Sequence, residues 1–335
     1  MKTNPTLAGW LMLPVLLTLN AQCSTAIAQG SLTPPGAPAA TMKSLDQVYG
    51  RLDSRTPITN ASSSYIISAP GSYYLTTNLT VSTGNGIAIN ANGVTLDLNG
   101  FTISSTLASA SWTGIALSTP LNDITIVNGH IRSGVTNNGS GVFSGSGFNA
   151  GIGYIGTGIY PTNVYVSKIS VSGVLNYGIG IGNNGNASVV EDCQVTTAGV
   201  CGINAATVKS SVAIDCRAGI QGDCVSDCQG FGGVIGIAAA ATALNCYGQG
   251  VSTYGVSAGT AQNCYGLSSS GTGLYVTNVA QNCYGQSSSG MGLFSPTAIG
   301  CTGAGGSGVG MSATIANSCR IISGTTNITY KYNMP

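Results

Sequence analysis

Five of the nine acidic residues, Glu191, Asp192, Asp215, Asp223 and Asp227, fall in one stretch of the chain, with Lys209 and Arg217 among them. Asp192, Asp215 and Asp227 each stand immediately before a cysteine, so a repeat aligned on the cysteines puts these carboxylates on successive turns. Like charges at that spacing must protonate, separate or bind a cation. A structural alternative is a turn stack. Asn245, Asn263 and Asn282 continue the same column, and both Asp and Asn tolerate left-handed backbone and hydrogen-bond to their own turn. Directly after the cysteines come Tyr247, Tyr265 and Tyr284. If the cysteines face inward, these tyrosines form an exposed strip that can dock sugar rings, or that stacks for its own stability.

Other chemistry finds little material. The single His, His130, lies in Asn128-Gly129-His130-Ile131-Arg132, which reads as an ordinary coil turn. Ser-His-Asp catalysis would need that one histidine plus a nucleophile elbow, which no serine has. Gly180-Ile181-Gly182-Asn183-Asn184-Gly185 spells GxGxxG, but no helix follows it to receive a pyrophosphate. The cysteines include no CxxC pair, so a zinc site is not indicated. No catalytic residue is assigned.

The elements that position these groups must come from an unusual composition. Of 335 residues 50 are Gly, only 6% are charged, and the formal net charge is +1. Nucleic-acid binding needs a basic stripe and a polybasic membrane anchor needs a lysine cluster; neither is present. A hydrophobic content of 43% with few charges is the reverse of a disordered segment.

Residues 1–28 read as a secretory signal peptide: Lys2 begins it, Leu11–Leu19 is its short apolar run, and Ala26-Ile27-Ala28 its cleavage site. A lipoprotein signal through Cys23 fits less well, because Gln22 stands where a small residue belongs. Residues 29–41 form a linker stiffened by Pro34, Pro35 and Pro38. No later run is suited to crossing a membrane as a helix, so the expected location is secreted or cell surface.

Beyond residue 58 two rulers agree. Cys228, Cys246, Cys264, Cys283, Cys301 and Cys319 recur at 18 or 19 residues. So do Gly202-Ile203, Gly219-Ile220, Gly236-Ile237, Gly255-Val256, Gly273-Leu274, Gly292-Leu293 and Gly310-Met311, at 17 to 19. Short Val, Ile and Thr runs broken by Gly, Asn and Ser, in phase over more than a hundred residues, predict an all-β solenoid. A left-handed hexapeptide helix would need an aliphatic residue at every sixth position, which Val256 to Cys264 lacks. A calcium-binding nonapeptide roll would need an Asp that Gly305-Gly306-Ser307-Gly308-Val309-Gly310 does not supply. The expected fold is a right-handed parallel β-helix over 58–335 with about 11–12 coils, a rod of roughly 55 Å at the inter-strand spacing. Met42, Leu45, Val48, Tyr49 and Leu52 have helical spacing, so 42–57 is expected to cap the open first coil.

Three passages carry a resemblance: Pro34-Pro35-Gly36-Ala37-Pro38 with Met42-Lys43-Ser44-Leu45-Asp46-Gln47, then Arg55-Thr56-Pro57-Ile58, then Pro70-Gly71-Ser72-Tyr73-Tyr74-Leu75. With Asn90 to Phe101, they resemble the opening of secreted bacterial β-helix proteins of the pectin-lyase-like superfamily. The likeness covers the first hundred residues closely and the rest in repeat style. It implies a fold and an exported location, while most members of that group have no assigned activity. Calcium-dependent pectate lyases, which share that fold, hold Ca2+ on carboxylates from neighbouring coils and use a basic residue to abstract a proton. The polygalacturonase pattern of paired Asp, Gly-His-Gly and Arg-x-Lys is missing.

The cysteine column is expected to face inward, as a stack of free thiols or with some bridges between adjacent coils. Gly134 to Gly158, with Phe143, Phe148 and Tyr154, departs from the repeat and is either a ligand-contacting loop or a flap along the rod. A weak cap at Thr325 to Pro335 would let rods stack end to end. The expected function is an exported structural or carbohydrate-binding rod without catalysis, its partner an extracellular polysaccharide or other surface polymer. A Ca2+-dependent polyuronate lyase is the alternative.

Overall fold

Runs of three to five β-formers cut by Asn, Asp or Gly cannot extend into long flat strands; the chain must turn at each break. The computed structural model describes Ser44 and residues 54–334, except 60–61, 119, 157–158 and 184. The signal segment, the linker and most of the expected 42–57 cap lie outside the described residues. By Thr56–Ile58 the chain is already in a strand, paired in parallel with Tyr73–Leu75. No helix occurs among the described residues, and 26 strands join in one parallel sheet.

Register shows how the sheet is built. In one ladder Tyr65, Ile87, Ile115, Ile152, Ile179, Ile203 and Ile220 are successive partners, followed by Ile237, Val256, Leu274, Leu293, Met311 and Thr326. The Gly-Ile ruler is therefore a physical column. A second ladder runs through Leu96, Ile126, Val166, Val190, Val208 and Val225, then Ala243, Ala261, Ala280, Ala298 and Ala316. A third passes through Leu79, Ile103, Ile131, Val171, Val195 and Ala213, then Gly230, Gly248, Gly266, Gly285 and Gly303. The result is a parallel β-solenoid in which each turn of chain adds one rung to each ladder.

The inner columns taper. Early coils are long, with 37 residues from Ile115 to Ile152, and are filled by Leu, Ile and Val. Later coils shorten to 17–19 residues; their second- and third-ladder positions become Ala and Gly, while the first ladder keeps Ile, Val, Leu and Met. A Cβ on the third-ladder glycines would strike backbone on the opposite wall of its own coil. It would lie 2.3 Å from the Gly255 carbonyl oxygen at Gly248, and 2.2 Å from that of Gly273 at Gly266. These glycines are core, and the two walls touch backbone to backbone. A fully buried Leu or Ile stabilises by roughly 1.5–3 kcal/mol, so coils that have Ala and Gly on two ladders depend more on inter-coil hydrogen bonds.

The corner that precedes the cysteine column, or Ser211 in its place, is left-handed: φ is +53° at Asp192, +45° at Ser210, +55° at Asp227, and +53° at Asn245, Asn263 and Asn282. Side chains stack there too. The Asn245 Nδ2 donates to Asp227 Oδ1 at 3.0 Å and the Asn263 Nδ2 to Asn245 Oδ1 at 3.1 Å. Next to this corner the cysteines face inward as free thiols, each donating to a carbonyl of its own turn, as Cys228 does to Ser226 at 3.0 Å. Burial pushes Cys193, Cys216 and Cys228 up to about 12. Cys224 is exposed.

One expectation changes. Gly134 to Gly158 is not one loop: Gly134–Asn137 and Phe143–Ser146 form an antiparallel hairpin, Phe148 is fully buried, and Ala150–Tyr154 is a first-ladder strand. The hairpin is pinned by buried Val135 and by Asn137, which donates to Asp215 at 2.7 Å. In the strand Arg320–Tyr332, Lys331 pairs with Ala316 and Thr326 with Met311, whereas Ile321 pairs with Gly303 and continues the third column with an apolar residue.

Gly266→Ala is predicted to lose about 1–3 kcal/mol or more by forcing the two walls apart, measured by denaturant unfolding. Gly233→Ala, where only one atom comes within 4 Å, is predicted to stay within about 0.5 kcal/mol of the parent. A thiol reagent at pH 8 is expected to label Cys224 at once and the other nine described cysteines only after unfolding, because burial keeps them out of reach. Rapid labelling of several of the nine would contradict this packing.

Candidate functional site

The carboxylates singled out by the cysteine ruler are not brought together. Asp192 and Asp227 occupy the left-handed corner two coils apart, with Ser210 between them. Ser211, not Cys216, fills the cysteine position of the intervening coil, and its hydroxyl accepts from the Cys193 amide at 3.1 Å. Asp215 lies within the strand Val212–Ser226 at a different corner. There Asn137 and the Thr197 hydroxyl each donate to its carboxylate at 2.7 Å. Glu191 accepts from the Tyr165 hydroxyl at 3.0 Å, and Asp223 from the Gly185 amide at 3.0 Å. Among the described residues, no group of three or more His, Cys, Asp or Glu side chains is placed to hold a metal ion. His130 sits in the strand Asn122–Arg132 and not in a turn; its Nδ1 is buried without a partner.

Tyr247, Tyr265 and Tyr284 are register partners on the outer face of the third ladder. Their rings stack with centroids 5.3 and 4.6 Å apart and planes 9° from parallel. Phe231 leans on Tyr247 at 5.5 Å. Stacking covers both faces of Tyr265 and leaves ring edges outward, whereas packing a sugar ring against an aromatic needs a free face. This geometry matches cross-coil stabilisation.

A different surface combines free ring area with hydrogen-bonding groups. On the outer side of the first ladder, the strands Thr113–Leu117, Ala150–Tyr154 and Tyr177–Gly182 flank a cleft of about 560 Å3 that reaches Asn204. Its floor is glycine: Gly153 and Gly180 are register partners in the outward column. These glycines seat tyrosines. A Cβ at Gly180 would lie 2.8 Å from Tyr177 Cγ, and one at Gly182, where φ is +86°, 2.5 Å from Tyr160 Cγ. Tyr154 and Tyr160 meet at 5.7 Å with planes inclined by 58°, forming a V. Tyr160 is 40% and Tyr177 38% exposed, so each ring rests on glycine and keeps area for a ligand.

Amides supply the polar partners. Asn176 Nδ2 donates to Asn149 Oδ1 at 3.1 Å, and Asn204 Nδ2 to Gln221 Oε1 at 3.3 Å; both leave further donors and acceptors for a ligand. Partial burial, with Cys201 and Tyr160 adjacent, raises the Tyr177 hydroxyl above its ordinary range, so it remains a neutral donor at physiological pH. No charged residue lines the cleft. It can hold polyhydroxylated neutral groups, and its lining carries no carboxylate, histidine, lysine or arginine.

The cysteine ruler does not reach this cleft, because its residues come from coils of 37 and 27 residues. The signal that was legible, Gly180-Ile181-Gly182, marks seats for rings and not a phosphate loop. A second cavity of about 450 Å3 lies under the hairpin tip between Asn137, Asp215, Phe231 and Gln249. No protein-family model matches the chain, and neither does any curated protein or solved structure.

Proposed function

We propose that this is an exported right-handed parallel β-helix that binds neutral carbohydrate at the Tyr-Asn cleft without catalysing its cleavage. The observation that carries this reading is the cleft itself: tyrosines seated on glycine, a border of asparagines, and no charge. Aromatic surface with a few fixed amide groups is the usual makeup of a site that orients a polar ligand. Right-handedness follows from the rule that parallel strand crossovers take that hand in about 98% of cases. The resemblance of the first hundred residues to secreted pectin-lyase-like proteins agrees with it, as does the signal-like sequence of residues 1–28. Such a rod belongs in the extracellular space or on the cell surface, in contact with polysaccharide.

A Ca2+-dependent polyuronate lyase draws less support. Its substrate is a polyanion, and the carboxylates it needs for the cation are not grouped: Asp192 and Asp227 stand two coils apart at one corner and Asp215 at another. Calorimetric titration with neutral gluco-, galacto-, manno- and xylo-oligosaccharides, and with polygalacturonate plus Ca2+, separates the two. One neutral series is expected to bind, with affinity unchanged between low and high salt because no ion pair is involved. Tyr177→Ala is expected to weaken that binding about tenfold or more, equivalent to 1.4 kcal/mol. Unsaturated products from polygalacturonate, or neutral-sugar binding indifferent to both Tyr177→Ala and Tyr160→Ala, would overturn the proposal.

A further inference from the structure

The outward column on which the cleft rests does not stop there. From Gly153 and Gly180 it continues in register through Asn204, Gln221 and Ala238 to Ser257, and then through Tyr275 and Phe294 to Ser312. Two more cavities open along it. One of about 270 Å3 is bordered by Gln221, Ala238 and Ser257, and one of about 160 Å3 by Phe294, Ser312 and Asn327. Asn183 borders both the main cleft and the second cavity, so the two are adjacent. Between the second and third, Tyr254, Tyr275 and Phe294 stack at 4.9 and 5.0 Å and give the column an aromatic stretch.

No charged residue lines any of the three cavities. They follow one line because every coil adds its next residue directly above the last. From the rung of Gly153 to that of Ser312 there are eight inter-strand steps, about 38 Å at ~4.8 Å each. A single sugar needs only the first cavity. A nucleic acid or an anionic membrane surface would need cationic side chains that this column lacks. An in-line set of uncharged hollows edged by amides, hydroxyls and rings matches a long neutral polymer.

We propose that an extended neutral polysaccharide chain lies along this column, parallel to the solenoid axis, and occupies the second and third cavities as well as the Tyr-Asn cleft. The proposal rests on neutral-sugar binding at the cleft and adds to it the length and path of the ligand. Occupying several subsites at once multiplies affinity without new kinds of contact.

The test compares a disaccharide with a long oligosaccharide of whichever neutral series binds, on the full protein and on Ala238→Arg and Ser257→Arg, which fill the second cavity from two adjacent coils. Circular dichroism and melting temperature check folding. The unmodified protein is expected to bind the long chain at least about tenfold more tightly than the disaccharide. Each variant should keep disaccharide affinity within about twofold and lose most of the gain from length. An affinity independent of length in the unmodified protein, or a length gain that survives both substitutions, would confine the ligand to the first cavity and overturn the proposal. Failure of both lengths to bind the unmodified protein would instead remove the underlying neutral-sugar site.

Discussion

Everything in this molecule depends on successive coils pairing in register through backbone hydrogen bonds. Where coils are long, the ladders enclose a conventional apolar core of Leu, Ile and Val. Where they shorten to 17–19 residues, one wall keeps Ile, Val or Leu while the others have room for Ala and Gly. Glycine normally costs a strand stability through its backbone entropy and missing side chain. Here it is required, because any Cβ would press on the opposing carbonyl. Residues 228–319 contain no charged side chain, and still the coils they form are continuous with the rest. Their order comes from the backbone, from stacked Asn and aromatic side chains, and from a buried row of thiols.

The repeat was legible because it leaves a mark in the sequence at every coil: a Gly-Ile pair at one wall and an Asn-Cys pair at one corner. Column assignment failed between Cys193 and Cys228. Two coils separate those residues, and Ser211 fills the intervening thiol position, so the Asp215-Cys216 pair was aligned with a corner it does not occupy. That slip assembled a carboxylate cluster that the fold disperses. The glycines were partly misjudged too. They were read as turn residues, whereas those of the third ladder are core, a role that depends on how close the opposite wall comes.

Side-chain orientation is the other thing sequence periodicity does not report. It placed Tyr247, Tyr265 and Tyr284 on one outward column, but whether the rings lie flat to solvent or face one another depends on the 4.6–5.3 Å between them. Tyr160 and Tyr177 follow no short repeat, and only the pairing of long coils sets them beside Asn149, Asn176 and Asn204. The irregular early coils supply the cleft, and the regular later coils extend its column. Low charge extends to the cleft, whose lining offers no partner for an ion pair.

Amide hydrogen exchange followed by mass spectrometry addresses the backbone ladder most directly. Gly-rich peptides such as those around Gly248, Gly266, Gly285 and Gly303 bury little side-chain surface and would exchange quickly if side-chain packing set their order. If inter-coil hydrogen bonds hold the solenoid, these amides are protected to the same degree as those of the Leu- and Ile-rich coils and open together with them. Exchange at unfolded-chain rates across residues 247–305, while earlier coils stay protected, would contradict that dependence.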